Sequence, residues 1–388
     1  MVQSPRSGSL AYRAAVRAPT SWASFAGRLA TDVVECVDLD VTPERLADPG
    51  PWFVVVDFEA SGRGGRARAW RFARVVDGGA PVPGELAAQG WQGPAPQDWS
   101  TSMSRGEYEG AVRRVQQHIR QGDVYQVNVC RVLTAPLPPT DPGTASGEPD
   151  AAALAARLAA GNPAPYGAAV HVPAGLDVDP VWVVSASPEL YLSLQNGRLA
   201  SGPIKGTAPT PEGLSGKDRA ENVMITDLVR NDLQQVCDPG TVAVTELLAV
   251  EEHPGLAHLV SRVQGVLSPG VAAAPDRWRR VLEATFPPGS VSGAPKSSAL
   301  SLIDQLEPTP RGPYCGAVGW VDGDRAELAV GIRTFWWERT DDGGALRFGT
   351  GAGITWGSDP AAEWRETELK ASRLVGLASR PAREQRSS

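Results

Sequence analysis

Several signals that would assign a protein to a common class are missing from this chain of 388 residues. Its 37 Lys and Arg residues are outnumbered by 44 Asp and Glu residues, which gives a net charge of -7. Because non-specific nucleic-acid binding depends on a basic surface, we expect no nucleic-acid partner, and any anionic ligand needs a local site. No run approaches the roughly 18 apolar residues of a membrane span, and the N-terminus lacks a continuous apolar segment. We therefore expect no membrane association and a cytoplasmic location.

Cysteine is scarce, and nucleotide-binding fingerprints are missing. The four cysteines lie far apart, with no CxxC pair and no histidine at zinc-like spacing, so we expect reduced, buried thiols. Two glycine-rich runs, residues 286–296 and 349–354, have neither the GxxxxGK[ST] spacing nor a GxGxxG directly after a strand. These runs can bring backbone N–H groups close to an anion, but they argue against ATP and NAD.

The apolar pattern predicts alternating helices and strands of the α+β class. Ser104 and Glu107 predict a capped helix that ends at Gly122, and further helices are predicted over residues 151–160, 217–233 and 360–377. Strands are predicted over residues 123–130, 181–186 and 190–194, and the pair Asn196-Gly197 predicts a hairpin turn. This pattern places Lys205 where a strand gives way to a loop.

The two long helices predicted at residues 217–233 and 360–377 each carry acidic residues three positions apart, which share one helix face: Asp218 and Glu221, Glu363 and Glu366. Two such pairs facing each other could hold Mg²⁺, because this hard cation takes carboxylate oxygens, waters and substrate oxygens. Taken alone, acidic pairs of this spacing are more often solvated helix faces. The metal site therefore needs support from other residues.

Four other residues have side chains suited to catalysis or anion binding: Glu189, Lys205, His258 and Arg333. An arginine at the end of a strand can clamp a carboxylate through two hydrogen bonds, although a lone arginine is more often a surface cation. A lone histidine in an apolar segment is more often a buried structural residue than a catalytic one. None of these four residues identifies the function by itself.

Together, the order, spacing and neighbours of these residues resemble the chorismate-utilising enzymes. This family contains anthranilate synthase component I, the isochorismate and salicylate synthases, and aminodeoxychorismate synthase component I. The resemblance is strong over residues 104–377 and loose over the first hundred. Nine runs carry it in family order: 122–128, 187–189, 203–207, 221–232, 258–261, 292–296, 316–319, 331–334 and 351–354.

The resemblance implies two large, mostly antiparallel sheets packed face to face with helices outside. Residues 1–103 would be an N-terminal region interleaved with the main body, residues 104–377 the chorismate-binding catalytic domain, and residues 378–388 a flexible tail. In some relatives the N-terminal part binds tryptophan, and residues 33–36 and 162–166 lie near the corresponding places. Residues 33–36 read Val-Val-Glu-Cys instead of the usual Leu-Leu-Glu-Ser, so a bound tryptophan stays an open expectation.

Two positions separate the reactions of the family. Enzymes that add water to chorismate resemble one another in carrying a lysine where this chain has Gln126, and anthranilate synthases usually carry alanine where it has Lys205. A lysine at position 205 is the mark of amination at C4, in which the amine first forms a covalent adduct. A desolvated lysine has the lowered pKa that such a nucleophile requires. By the same resemblance, Glu189 is the general acid and base for the departing hydroxyl, and His258 lies near this leaving group.

The resemblance also assigns the binding groups. Glu221 and Glu366 would bind Mg²⁺ directly, with Asp218 and Glu363 just outside them. The implied contacts with chorismate are Gln126, Ser292, Gly293, Lys296, Tyr314, Arg333, Gly351, Gly353 and Lys370.

No segment resembles a glutamine amidotransferase, so we expect a separate glutaminase subunit to supply the ammonia. Two alternatives stay open. The first is anthranilate synthase component I, which eliminates pyruvate after amination. The second is a non-catalytic, ligand-binding paralogue, which would be expected to have lost one of Glu189, Lys205, Glu221 or Glu366. The residues also do not separate p-aminobenzoate and folate synthesis from an antibiotic pathway that uses the same amination.

Overall fold

The computed structural model describes residues 21–60, 62–78, 90–138, 147–208, 210–253 and 256–380. Within these ranges the chain forms 18 β-strands and seven α-helices, and none of the helices is long and apolar enough to cross a membrane. Residues 381–388 of the predicted tail lie outside the described residues, as do residues 1–20 of the predicted N-terminal region.

The elements have the following bounds. The strands are β1 (Trp22–Phe25), β2 (Arg28–Asp38), β3 (Trp52–Val56), β4 (Ala67–Asp77), β5 (Ser100–Thr101), β6 (Gln126–Pro136), β7 (Tyr166–Val172), β8 (Val181–Ser187), β9 (Leu190–Gln195), β10 (Arg198–Gly202), β11 (Ile204–Ala208), β12 (Ala243–His253), β13 (Leu256–Val266), β14 (Gly293–Ala294), β15 (Ala317–Asp322), β16 (Arg325–Val330), β17 (Thr334–Glu338) and β18 (Ala345–Ile354). The helices are α1 (Arg105–Gln121), α2 (Ala151–Gly161), α3 (Gly216–Gln234), α4 (Pro269–Ala272), α5 (Arg277–Thr285), α6 (Lys296–Leu306) and α7 (Pro360–Ala378).

The predicted ends of α1 are confirmed by its caps. The Ser104 hydroxyl accepts a hydrogen bond from the Glu107 N–H, and the Glu107 carboxylate accepts one from the Ser104 N–H at 2.7 Å. At the other end, Gly122 takes a φ of +86°, the left-handed conformation that terminates many helices. The pattern did not predict α5 and α6. Helix α5 has nine residues and three buried side chains, too few for a clear periodicity. Helix α6 begins at Lys296, directly after Pro295, so its start lies at the end of the glycine-rich run 286–296.

The strands join in one continuous path of antiparallel ladders. From one end the order is β12, β13, β10, β9, β16, β15, β3, β4, β2, β1, β7, β8, β17, β18 and β6. β11 pairs with β13 near the first end, and β14 pairs with β6 at the other end. Strands β1–β4, from the first hundred residues, form the middle of this path. The predicted α+β class with antiparallel sheets is confirmed.

The path folds back on itself, so that its two ends meet. A Cβ atom added to Gly353 on β18 would stand 3.6 Å from Nζ of Lys205 on β11, although the two strands lie near opposite ends of the path. Buried side chains from both ends, such as Val129 and Val263, belong to the same hydrophobic core. The burial of this shared core holds the two ends together.

A buried ion pair joins the loops behind this meeting point. Arg311 is 1% exposed and donates to both carboxylate oxygens of Glu307, at 2.8 and 2.6 Å. Its Nη1 donates to the carbonyl oxygen of Val291 and its Nη2 also donates to that of Asn128, both at 2.8 Å. Glu307 also accepts from the Cys130 N–H. One side chain thus links the glycine-rich run 286–296 to β6.

We expect Arg311→Met to lower the free energy of unfolding by about 3–5 kcal/mol, because it leaves a buried carboxylate without its cation. Urea denaturation of the purified chain measures this loss. The matched control is Arg325→Met, which removes an exposed pair with Asp322 and should cost no more than about 1 kcal/mol. Equal effects of the two substitutions would show that Arg311 does not hold the core in the way described.

Candidate active site

Lys205 lies inside a strand and not at a strand end. Pro203 cannot donate to a ladder and separates β10 from β11, and Lys205 is the second residue of β11. The predicted strand-to-loop position is therefore wrong. The register of β11 against β13 shifts between Ile204 and Thr207, and Gly206 in this irregular segment has a φ of +85°. Such a bulge redirects neighbouring side chains, and Nζ of Lys205 donates to the carbonyl oxygen of Ser290 at 2.9 Å.

The surroundings of Lys205 lower the pKa of its amine. Its amine lies deep among protein atoms, and this burial lowers the pKa, with a further lowering from the charge of Lys370. The carboxylates of Glu221, Glu189 and Glu366 oppose the shift without cancelling it. A lysine with a lowered pKa is more often uncharged, and only the uncharged amine is a nucleophile.

Glu189 lies in the short connection between β8 and β9 and is 4% exposed. Burial raises the pKa of this carboxyl to about 7, although hydrogen bonds from the Ser290 hydroxyl and the Ile204 N–H and the charge of Lys205 all lower it. The carboxyl is therefore partly protonated at neutral pH. It can donate a proton in one step and accept one in the next.

Ser290 is a site residue that the sequence reasoning missed. Its hydroxyl bonds to the Glu189 carboxylate and its carbonyl oxygen accepts from Lys205, so one residue orients both reactive groups. The sequence shows the glycine-rich run 286–296, but within it only Ser292, Gly293 and Lys296 are predicted to belong to the site. Ser292 donates through Oγ to the Pro288 carbonyl oxygen at 3.0 Å, which holds the shape of the run.

Gln126 lies beside Lys205 at the start of β6 and is 1% exposed. In the described part of the chain its Oε1 accepts no hydrogen bond. A Cβ on Gly353 would stand 2.4 Å from Nε2 of Gln126, and one on Gly293 would stand 2.2 Å from its backbone oxygen. These two glycines therefore permit the close approach of strands around Gln126. A buried acceptor without a partner is costly unless a ligand satisfies it, so Oε1 is available to a substrate hydroxyl.

His258 is buried on β13, next to the strand that carries Lys205. Its backbone is in register with Thr207 on β11 and with Glu251 on β12. The topology thus places His258 near the segment of β11 that carries Lys205, and its predicted position at the leaving group stays a prediction.

The acidic residues of α3 and α7 face each other near Lys205. Nζ of Lys217 lies 3.6 Å from Oε1 of Glu221 on its own helix and 3.2 Å from Oε1 of Glu363 on α7. Burial raises the pKa of Glu221, whereas Lys370, 2.6 Å from Glu366, lowers the pKa of Glu366 against the effect of burial. Among the residues that the structure describes, no three acidic, histidine or cysteine side chains are close enough together to hold a metal ion.

The donor set nevertheless fits a hard divalent cation. All three glutamates offer carboxylate oxygens, and Oε1 of Glu221 is a buried acceptor without a hydrogen bond among the described residues. The fourth predicted acid, Asp218, has a different role in this structure. Its carboxylate accepts from the N–H and hydroxyl of Ser215, at 2.8 and 2.6 Å, and so caps the first turn of α3.

Two cations lie where an anionic substrate could meet them. Arg333 sits between β16 and β17 with a φ of +54°, and no acidic side chain in the described ranges pairs with it. Burial and the charge of Arg373 lower the pKa of Arg333. Lys370 donates to the carbonyl oxygen of Gly351 at 3.1 Å. Tyr314 is buried beneath the same strand, where a Cβ on Gly349 would overlap its ring.

Lys296 makes contacts on another side of Glu189. Its Nζ donates to Asp232 at 2.7 Å and to the Thr285 carbonyl oxygen at 3.0 Å. Asp232 and Glu189 line a common cavity of about 20 Å³, enough for one water molecule. The structure thus places Lys296 against a protein carboxylate, and its predicted contact with substrate stays a prediction.

Comparison with known proteins identifies the family. The sequence profile described as chorismate binding enzyme matches residues 86–376. The chain belongs to the chorismate-binding enzyme family. Aminodeoxychorismate synthase component 1 of Klebsiella aerogenes is 38% identical to this chorismate-binding enzyme over 291 residues, which cover 71% of this chain and 59% of that protein. Anthranilate synthase component 1 of Saccharolobus solfataricus is 37% identical over 289 residues, covering 71% of this chain and 63% of that protein.

The chain spans about three fifths of the length of these two curated relatives. Two solved structures resemble it over most of its chain. Anthranilate synthase component I from Streptococcus pneumoniae has a TM-score of 0.69 at 24% identity, covering 92% of this chain and 90% of that chain. The menaquinone-specific isochorismate synthase of Escherichia coli has a TM-score of 0.71 at 18% identity, covering 92% and 89%. At these identities the likeness shows the fold alone.

We expect a bell-shaped pH dependence for any step that needs protonated Glu189 and neutral Lys205. Above about pH 7 the protonated fraction of Glu189 declines, and the rate falls once the neutral fraction of Lys205 no longer rises to offset this loss. As pH falls, Lys205 gains a proton and the rate falls again. Single-turnover consumption of chorismate with Mg²⁺ and without ammonia measures this step free of the titration of ammonium.

Chorismate affinity measured at each pH is the control for a change in binding. A rate that continues to rise well above the pKa of Glu189 would show that no proton from this carboxyl is required.

Proposed function

We propose that this chain aminates chorismate at C4 with ammonia to give 4-amino-4-deoxychorismate, the reaction of an aminodeoxychorismate synthase component I. The observation that carries the proposal is the contact between Ser290 and two reactive groups, Lys205 with a lowered pKa and Glu189 with a raised pKa. A neutral amine beside a protonated carboxyl supplies a nucleophile and an acid at the same pH. The family membership and the relative named aminodeoxychorismate synthase support the choice of substrate.

In the first step, Nζ of Lys205 attacks C2 of chorismate, and the ring double bonds shift as the C4–O bond breaks. Glu189 gives its proton to the departing hydroxyl, which leaves as water. The carbonyl oxygen of Ser290, which accepts from Nζ at 2.9 Å, orients the amine for this attack. The Ser290 hydroxyl then stabilises the carboxylate that Glu189 has become.

In the second step, ammonia attacks C4 and the bond between C2 and Nζ breaks. The lysine leaves as a neutral amine, while Glu189 takes up the proton that the incoming nitrogen loses. Oε1 of Gln126, which has no partner among the described residues, can accept a hydrogen bond from the incoming nitrogen or a ring hydroxyl. An amide group cannot act as a base for water. Gln126 at this position therefore fits amination of chorismate and not its hydroxylation.

The anionic groups of chorismate need cations. Bound Mg²⁺ would hold the ring carboxylate and polarise it, with Glu221 and Glu366 as its protein ligands and Glu363 nearby. Arg333 and Lys370 would hold the enolpyruvyl carboxylate, since Arg333 has no acidic partner in the described ranges and Lys370 lies beside Gly351. A bidentate arginine contact fixes the orientation of a carboxylate.

We further propose that ammonia comes from a separate glutamine amidotransferase subunit, because both similar relatives are named as component 1 of a synthase. Free ammonium should replace this subunit in vitro. Tryptophan binding stays a prediction, and the carboxylate of Glu35, in the run at residues 33–36, pairs with Arg45 and Arg71.

The test is incubation of the purified chain with chorismate, Mg²⁺ and ammonium, followed by mass spectrometry of the products. We expect 4-amino-4-deoxychorismate. Anthranilate as the main product would favour the second candidate, which the 37% identity to an anthranilate synthase supports. Isochorismate or unreacted chorismate would overturn the proposal.

Lys205→Ala should lose most of the amination activity, because the covalent step has no nucleophile. It should still bind chorismate in the presence of Mg²⁺, since Arg333 and Lys370 remain. Steady-state rates and equilibrium binding measure the two effects. Full activity in this variant would contradict the role of Lys205, and loss of binding would indicate a role in holding substrate instead.

A further inference from the structure

The acidic surface shared by α3 and α7 contains a cation of the protein itself. Lys217 is the second residue of α3, and its Nζ lies between the carboxylates of Glu221 and Glu363, at 3.6 and 3.2 Å. It thereby pairs with acids on both helices, whereas Asp218, the next residue, is held by the helix cap. Lys217 was not among the residues that sequence reasoning assigned to the site.

Mg²⁺ and this lysine cannot use the same oxygens at the same time. A bound Mg²⁺ lies about 2.0–2.1 Å from each ligand oxygen and demands a nearly ideal octahedral arrangement. An ammonium 3.6 Å from Oε1 of Glu221 and 3.2 Å from Oε1 of Glu363 would then lie within a few ångströms of the metal, and two cations at that distance repel strongly.

The side chain of Lys217 is able to leave. It is 48% exposed, and the four-carbon stem of a lysine lets Nζ turn into water. Glu221 and Glu363, at 14% and 4% exposure, stay where they are. Lys370 differs, because its Nζ pairs with Glu366 and also donates a hydrogen bond to the Gly351 carbonyl oxygen.

We propose that Lys217 is a built-in competitor for the metal: its ammonium neutralises Glu221 and Glu363 in the metal-free enzyme and is displaced into solvent when Mg²⁺ binds. This inference rests on the proposed function for its metal site. The pairing of Lys217 with Glu221 and Glu363 makes the metal-free enzyme more stable than an uncompensated acidic cluster would be. The same pairing weakens Mg²⁺ binding to the same extent. Lys217 is therefore a residue that sets metal affinity and does not take part in the amination.

The test is Mg²⁺ binding to the purified full chain by isothermal titration calorimetry, without any activity readout. We expect Lys217→Met to bind Mg²⁺ about two- to fivefold more tightly than the wild type, the range expected when a partly exposed ion pair no longer has to be broken. Lys217→Arg should stay close to the wild type, because it keeps the charge.

Arg219→Met is the matched control. Arg219 is an exposed cation on the same turn of α3, and its side chain makes no ion pair or hydrogen bond among the described residues. This variant removes the same charge without touching the glutamates, so it measures the long-range effect of charge alone. Its Mg²⁺ affinity should change less than that of Lys217→Met.

Melting temperatures give an independent readout. Without metal, Lys217→Met should melt below the wild type, and saturating Mg²⁺ should raise its melting temperature by more than it raises that of the wild type. Equal affinities of Lys217→Met and Arg219→Met, or weaker binding by Lys217→Met, would overturn the proposed competition. A wild type that binds no Mg²⁺ would instead overturn the metal site itself, and with it this inference.

Discussion

The burial of the Lys205 amine away from water is the constraint on which the site depends. In water a lysine is charged at neutral pH and cannot act as a nucleophile, and burial shifts the balance toward the neutral form. The same exclusion of water acts in the opposite direction on Glu189 and raises its pKa to about 7. Two shifts of opposite sign thus come from one cause. They raise the neutral fraction of the Lys205 amine and the protonated fraction of the neighbouring Glu189 carboxyl.

Lys205 and Gln126 come together because a long antiparallel path folds back on itself. Lys205 comes from β11 and Gln126 from β6, and these strands lie near opposite ends of the path. Gly353 permits their approach, since any side chain there would overlap Gln126. Arg311 joins β6 to Val291, the residue after Ser290. The buried ion pair of Arg311 with Glu307 therefore supports the residue that contacts both reactive groups.

Local patterns in the sequence predicted the features that depend on neighbouring residues. The caps of α1 and the α+β class are of this kind. The family motifs also indicated that Glu189 and Lys205 share a site, and these two side chains do interact. Lys205 was misplaced at a strand end, because a bulge after proline looks like a loop in the sequence. The double contact of Ser290 could not be predicted, since it depends on how the run 286–296 folds against β11. The ion pair between Lys296 and Asp232 could not be predicted either, since only the folded chain brings these two residues together.

The most direct measurement is the mass of the protein after incubation with chorismate and Mg²⁺ in the absence of ammonia. We expect a covalent adduct of chorismate less one water, and peptide mapping should place it on Lys205. Addition of ammonium should then release the adduct. An adduct on another residue, or amination by an enzyme that never carries one, would contradict the role of Lys205 as the nucleophile.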